Sequence, residues 1–223
     1  MISNSCRKKD MRLNIAIIDH GFANIGSLKN TLKFLNFDVC QISDSSYLSN
    51  VQNIDGFVLP GVGSFGPAMR SLRSKNLDQV IDVLLANGCR GLGICLGMQM
   101  LTKGSEEDSF NEPGLGLFPG YVKRLNSRDA KVPHVGWSDT HPVNETPHKS
   151  QILKGTHYYI HSFAYEGCSS GNDYVAATFG HGRVQATSAI FRPNLLGVQF
   201  HPEKSQSDGL SLLQNYFTAE LAK

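Results

Sequence analysis

Apolar positions along the first half of the chain switch between two spacings. Residues 13–18 form a short apolar run of the kind buried inside a parallel sheet. Over 24–35 the apolar residues Ile25, Leu28, Leu32 and Leu35 recur at helical spacing, which predicts a helix. Further strands are predicted at 39–42 and 56–59, the second ending at the breaker Pro60-Gly61. Met69, Leu72, Leu77, Val80, Ile81 and Leu84 then form the stripe of one long helix over 68–86. A fourth strand is expected at 90–94, with a helix starting at Met98. Strand alternating with helix implies parallel pairing through right-handed crossovers.

From 114 to 197 the pattern changes to short β-like runs broken by Gly and Pro, with strands predicted at 158–161, 174–179, 184–190 and 195–200. A last helix is expected over 208–221, with Asp208 as its N-cap. No repeat and no linker interrupts the pattern. The expected fold is α/β: an open, mainly parallel twisted sheet flanked by helices, with a small antiparallel β extension. Residues 12–223 read as one domain. Residues 1–11 are polar, carry Arg7, Lys8 and Lys9, lack the apolar core of a signal peptide, and read as a disordered extension.

Composition narrows the function classes. Hydrophobic residues make up 40% and charged residues 18% of the chain, as in ordinary globular proteins. A net charge of +2 argues for neither nucleic acid nor an anionic membrane as partner. No apolar run is long enough to span a bilayer. The cysteine count is odd (5), with no CxxC pair and no export signal, so a reducing cytoplasm fits better than a disulfide framework or a zinc site. His141, His148, His157 and His181 show no metal-ligand spacing, and neither metal nor cofactor is expected.

One cysteine stands in a chemically suggestive place. Gly93-Ile94-Cys95-Leu96-Gly97 lies where a predicted strand gives way to a helix, the setting of a nucleophile elbow. There the helix N-terminus favours a thiolate, and the Leu96 N–H points toward a developing oxyanion. The pentapeptide by itself fits a small buried hydrophobe equally well. A thiol nucleophile needs a base, and the base needs an orienting group. Gln199-Phe200-His201-Pro202-Glu203 follows a predicted strand. If that run stays extended, His201 and Glu203 point to the same side, and Glu203 can orient the imidazole. The competing interpretation is a surface His-Pro turn. The loop Pro60-Gly61-Val62-Gly63 after the third strand can supply a second oxyanion donor from Gly61 or Val62, with its glycines allowing a peptide flip. A phosphate-binding loop is less well supported, because no Lys-Ser/Thr follows.

Together, Gly93 to Gln99 and Gln199 to Glu203 resemble the triad, or class I, glutamine amidotransferases. Pro60 to Phe65, Lys131 to Trp137, Tyr158 to Ser162 and His201 to Ser205 resemble, more narrowly, the glutaminase subunit of imidazole glycerol phosphate synthase. The resemblance implies a Cys95–His201–Glu203 triad hydrolysing L-glutamine. It implies Gly63, Gln99, Glu107 and Ser162 around the substrate. It also implies a heterodimeric (β/α)₈ synthase/cyclase subunit that receives the ammonia in histidine biosynthesis, with Asn24, Trp137 and Lys204 facing it. Two departures from the family pattern, Ser138-Asp139 after the tryptophan and the loop from Asp19 to Asn24, would by the resemblance lie toward the partner. They keep open an ammonia acceptor in surface-polysaccharide sugar amidation. A γ-glutamyl peptidase and a catalytically dead interaction subunit are the remaining alternatives. The chain is filled by the glutaminase domain, so the acceptor is expected on a separate polypeptide.

Several of these residues also have plain structural explanations. Trp137, in what reads as a Pro/Gly-framed loop, suits a core plug almost as well as an interface. Ser105 to Asp108 reads as a solvated acidic turn. Cys40 and Cys89 read as packing residues.

Overall fold

In a computed structural model of the chain, residues 12–108, 111–126, 129–143, 153–167 and 174–219 are described. The extension over 1–11, Cys6, His148, Cys168 and the tail of the predicted final helix lie outside them. The parallel half contains β1 (Asn14–Ile18), α1 (Ile25–Phe34), β2 (Asp38–Ile42), β3 (Gly56–Leu59), α2 (Phe65–Ser74), α3 (Leu77–Ala86), β4 (Arg90–Ile94) and α4 (Leu96–Met100). After it come β5 (Gly120–Arg124), β6 (His134–Pro142), β7 (Gly155–His161), β8 (Phe163–Gly167), β9 (Val175–His181), β10 (Val184–Arg192), β11 (Leu195–Val198) and α5 (Gln206–Thr218).

Nine strands join in the order β2-β1-β3-β4-β11-β10-β9-β6-β7. The run from β2 to β11 is parallel, and the pairs beyond β11 are antiparallel. β5 and β8 pair separately as a two-stranded ribbon. Alternation along β1 divides the core. Ile15 and Ile17 pack on one face with Leu28, Leu32, Leu212 and Leu213 from α1 and α5. Ala16 and Ile18 pack on the other with Met69, Leu72, Ile81 and Leu84 from α2 and α3. Helices on both faces explain why the central parallel strands β3 and β11 are buried along their whole length and do not alternate. No described helix is long and apolar enough to cross a membrane.

The structure departs from the sequence reading in several places. The helix expected over 68–86 is two helices, because Asn76 takes a left-handed conformation (φ 52°) and turns the chain between them. The apolar stripe continues on both sides of the break, so periodicity alone does not reveal it. α4 begins at Leu96, directly behind Cys95, and is only five residues long. The last helix starts at Gln206, after Ser205. Asp208 lies inside its first turn, where the carboxylate accepts the Thr156 N–H at 2.8 Å and ties the start of β7 to α5. Trp137 belongs to strand β6, not to a loop.

Candidate active site

β4 and β11 are parallel neighbours with Ile94 opposite Val198. The chain leaves both strands at the same sheet edge, where ligands bind in open α/β sheets. The Cys95 N–H donates to the Val198 carbonyl at 2.8 Å, so Cys95 and the Gln199–His201 segment start from a paired position. This register brings together residues remote in the chain.

Cys95 has φ 53° and ψ −110°, a backbone region that L-residues rarely adopt. Holding a non-glycine there costs of order 1–3 kcal/mol. The surrounding packing enforces it. A Cβ on Gly97 would overlap the carbonyl oxygen of Leu59, and one on Gly93 would lie 2.9 Å from the backbone nitrogen of Met98. Strand, turn and helix therefore pack closely only with glycine on each side of Cys95. With α4 so short, its first backbone N–H groups matter more here than a helix macrodipole.

His201 is almost fully buried, and its Nδ1 lies 2.8 Å from Glu203 Oε1. The pairing does not arise by strand alternation. His201 is extended (φ −102°, ψ 95°), but Pro202–Lys204 forms a single 3₁₀ turn that folds Glu203 back onto the ring. The Ser205 hydroxyl donates to the His201 carbonyl at 2.6 Å, and the His201 N–H donates to Tyr158 O at 2.9 Å, fixing this corner. Nε2 is buried and has no hydrogen bond of ordinary geometry, although the ring interacts with the Cys95 sulfur. Such contacts often tighten only when substrate is bound. Burial alone would lower the pKa of His201. Interaction with Cys95 and with Glu203 overrides it and raises the value to about 10.

A cleft of about 310 Å³ opens beside the sulfur, and Gly63, Cys95, Leu96, Gln99, Glu107, Ser162 and His201 all line it. Its size suits a small ligand. Gln99 is buried, and its Nε2 reaches Phe163 O and Gln199 Oε1, both at 3.1 Å. Its carbonyl oxygen is what it can present to a ligand. Glu107 Oε2 accepts the Phe65 N–H at 3.0 Å at the start of α2. The segment from Ser105 to Asp108 is not a solvated turn: Ser105 and Asp108 are buried, and Asp108 Oδ2 accepts the Glu112 N–H at 2.7 Å.

The oxyanion loop needs a correction. The Val62 N–H donates to the carbonyl of Phe22 at 2.9 Å, so it is not free to hold an oxyanion in this conformation. Gly61 packs against the elbow, with room for a Cβ limited by Leu96 and Gly97. Outside the cleft, Trp137 is 47% exposed, which removes the core-plug interpretation, and it meets Tyr158 edge-on across β6 and β7. The Lys204 ammonium lies 6.0 Å from the Tyr158 ring. Asn24 and Lys204 line a narrow crevice with Val62 and His201.

Two residues at this site are missed by the sequence reading. His161 lines the cleft, its Nδ1 2.8 Å from Phe163 O, and burial lowers its pKa to about 4, keeping the ring neutral. Gln199 reaches the sulfur, with Nε2 3.7 Å from Cys95 Sγ. Alternation from His201 points to Gln199, two residues earlier in the same extended run. Among the described residues, no group of three or more His, Cys, Asp or Glu side chains is arranged to hold a metal ion.

Known proteins match the chain in sequence and in fold. A family model described as "Glutamine amidotransferase class-I" matches residues 16–219. The imidazole glycerol phosphate synthase subunit HisH of Microcystis aeruginosa is 40% identical over 208 residues, covering 91% of this chain and 93% of that protein. The subunit of the same name from Bacillus subtilis is 36% identical over 207 residues, covering 91% and 94%. Among solved structures, PurLQS from Thermotoga maritima superposes with a TM-score of 0.69 at 18% identity, covering 92% of this chain and 98% of that one. A crystal structure described as a glutamine amidotransferase gives 0.69 at 16% identity, covering 91% and 96%. At these identities the two structures support the fold alone.

Proposed function

The chain belongs to the class-I glutamine amidotransferases and, within them, to the family of HisH subunits of imidazole glycerol phosphate synthase, and from that premise we propose how its residues work. It is a glutamine-hydrolysing enzyme of histidine biosynthesis, acting with a partner subunit. The single observation that carries the residue roles is the strained Cys95 at the end of β4, beside a buried His201 held by Glu203.

The Cys95 sulfur attacks the side-chain amide carbon of L-glutamine. The oxyanion takes the Leu96 N–H, which starts α4, and a second donor from the Gly61-Val62 loop. Rotating that peptide breaks the bond from Val62 to Phe22 and turns the donor inward. His201 gives its proton to the departing amine, releasing ammonia and leaving a γ-glutamyl thioester. It then takes a proton from water as the water attacks the thioester, and glutamate leaves with the sulfur restored. Glu203 holds the ring in position through both steps. Gln99, Glu107, Gly63 and Ser162 line the space for the amino acid, with the carbonyl of Gln99 and the free oxygen of Glu107 suited to an ammonium group.

The ammonia acceptor we propose is a (β/α)₈ synthase/cyclase subunit, bound as a heterodimer at the face that exposes Phe22, Asn24, Trp137 and Lys204 beside the half-buried Tyr158. Phe22 both lies on that face and holds Val62, so docking there can release the oxyanion donor. The names of the relatives favour the histidine pathway over sugar amidation. Residues 12–223 then act as one glutaminase domain, and the free thiols of Cys40, Cys89 and Cys95 suit the cytoplasm. The test is product formation by the reconstituted heterodimer with glutamine or with ammonium. Cys95→Ala is expected to lose the glutamine-dependent reaction and keep the ammonium-dependent one. Loss of both, or of neither, would refute the division of labour.

A further inference from the structure

We propose that Gln199 is a catalytic residue of this site: its side-chain amide donates to the Cys95 sulfur and holds the anion formed there. The proposal rests on the reading of Cys95 as nucleophile and adds a residue to it.

The polarity of the contact follows from a backbone carbonyl. Phe163 O can only accept, so the Gln99 side-chain atom 3.1 Å from it is the nitrogen. The same nitrogen lies 3.1 Å from the Gln199 side chain, which must therefore present its oxygen there. The other end of the Gln199 amide, its N–H₂, is then turned to Cys95 Sγ at 3.7 Å, across 104 residues of sequence. Carbonyl, amide, amide and sulfur form a relay with one sense. Reversing Gln99 would set acceptor against acceptor at Phe163 O, and reversing Gln199 would set donor against donor at Gln99.

The relay is buried. Gln199 has no exposed surface, and Gln99 and Cys95 are exposed by 5% and 7%. In such surroundings a donor aimed at an anion is worth more than in water. The sulfur also lies 4.0 Å from Ile160 O, which can accept from a protonated sulfur and offers nothing to an ionised one. The Gln199 backbone is pinned as well, its N–H donating to Ser188 O at 2.8 Å. Placed on the strand end next to the elbow, Gln199 steadies the sulfur anion before attack and when the thioester collapses, while His201 handles the proton.

The test is the rate of Cys95 alkylation by iodoacetamide against pH, read by peptide mass mapping on the folded full-length chain. Gln199→Met removes the donor at similar size. Gln199→Glu keeps the acceptor for Gln99 but turns an oxygen toward the sulfur. Both are expected to slow Cys95 alkylation at pH 7 by roughly tenfold or more, Glu more than Met, and to move the alkylation profile to higher pH. Gln99→Met, which leaves Gln199 in place but unoriented, is expected to give a smaller loss, and it carries the test if a Gln199 variant does not fold. A purely structural role predicts lower melting temperatures with unchanged alkylation of the folded fraction, and that result overturns the proposal. A wild-type Cys95 that does not react at all would instead overturn the nucleophile reading.

Discussion

The Val62 N–H and the Phe22 carbonyl are joined by a 2.9 Å hydrogen bond, and that bond occupies the N–H proposed as the second oxyanion donor. On that proposal the elbow and its base are assembled, while the pocket for the developing negative charge still needs its second donor. A site in this state is expected to turn over slowly until the loop rotates.

If Val62 supplies the second donor, deleting its N–H should be costly even with the partner bound. Val62→Pro is expected to lower kcat by about 10²–10³. Covalent labelling of Cys95 by iodoacetamide should persist, because the elbow is untouched. Steady-state glutaminase assays with and without the partner check this, and wild-type kcat in the variant would exclude Val62 as donor.

The pH profile reports on His201. The departing ammonia needs a proton from this ring, and the Cys95 and Glu203 interactions raise its pKa to about 10. The kcat/KM of the enzyme, which reports the free site, should therefore hold through neutral pH and fall on the basic side near pH 10. Glu203→Gln removes one source of the increase, so its basic limb should move to lower pH. The linkage has the same sign. A folded pKa above the ordinary 6.5 adds stability that is full below 6.5 and is lost as pH rises through about 10. The difference in melting temperature between wild type and Glu203→Gln should narrow over that window.

Backbone strain at Cys95 is measurable. The residue sits at φ 53°, where glycine is at ease and alanine is not. Cys95→Gly should be more stable than Cys95→Ala by about 1 kcal/mol, the reverse of the usual order. Denaturant unfolding of the two inactive variants measures it. Equal stability, or a more stable alanine variant, would mean the turn carries no strain.

The face around Trp137 should bind the synthase subunit. Trp137→Ala is expected to weaken the heterodimer by about 2 kcal/mol, roughly thirtyfold in Kd. Basal alkylation of Cys95 should stay as in wild type. Tyr121, exposed on β5, is the control, and Tyr121→Ala should leave Kd unchanged. Titration calorimetry with the purified partner decides between them.

The parallel strands, the elbow and the candidate triad were legible because each has a local signature: an apolar run, a glycine-framed cysteine, a His-Pro-Glu step. Helix ends were less so. Asn76 breaks one apolar stripe into α2 and α3 without changing its spacing, and a single backbone dihedral does not show in periodicity. The 3₁₀ turn that brings Glu203 to His201 was invisible for a related reason, since Pro202 suits an extended segment and a helical first turn alike. Strands β5, β6 and β8 mix buried and exposed positions, and β5 pairs with β8 far along the chain, so no short window marks them. The Val62–Phe22 bond and the amide relay to Gln199 depend on which loops and strand ends meet, and only tertiary structure supplies that.

The most direct test treats the chain with an electrophilic glutamine analogue and maps the adduct by mass spectrometry. One adduct on Cys95, suppressed by L-glutamine and abolished in His201→Ala, is the predicted result. Modification elsewhere with Cys95 left free, or an adduct that glutamine does not suppress, would contradict the site described here.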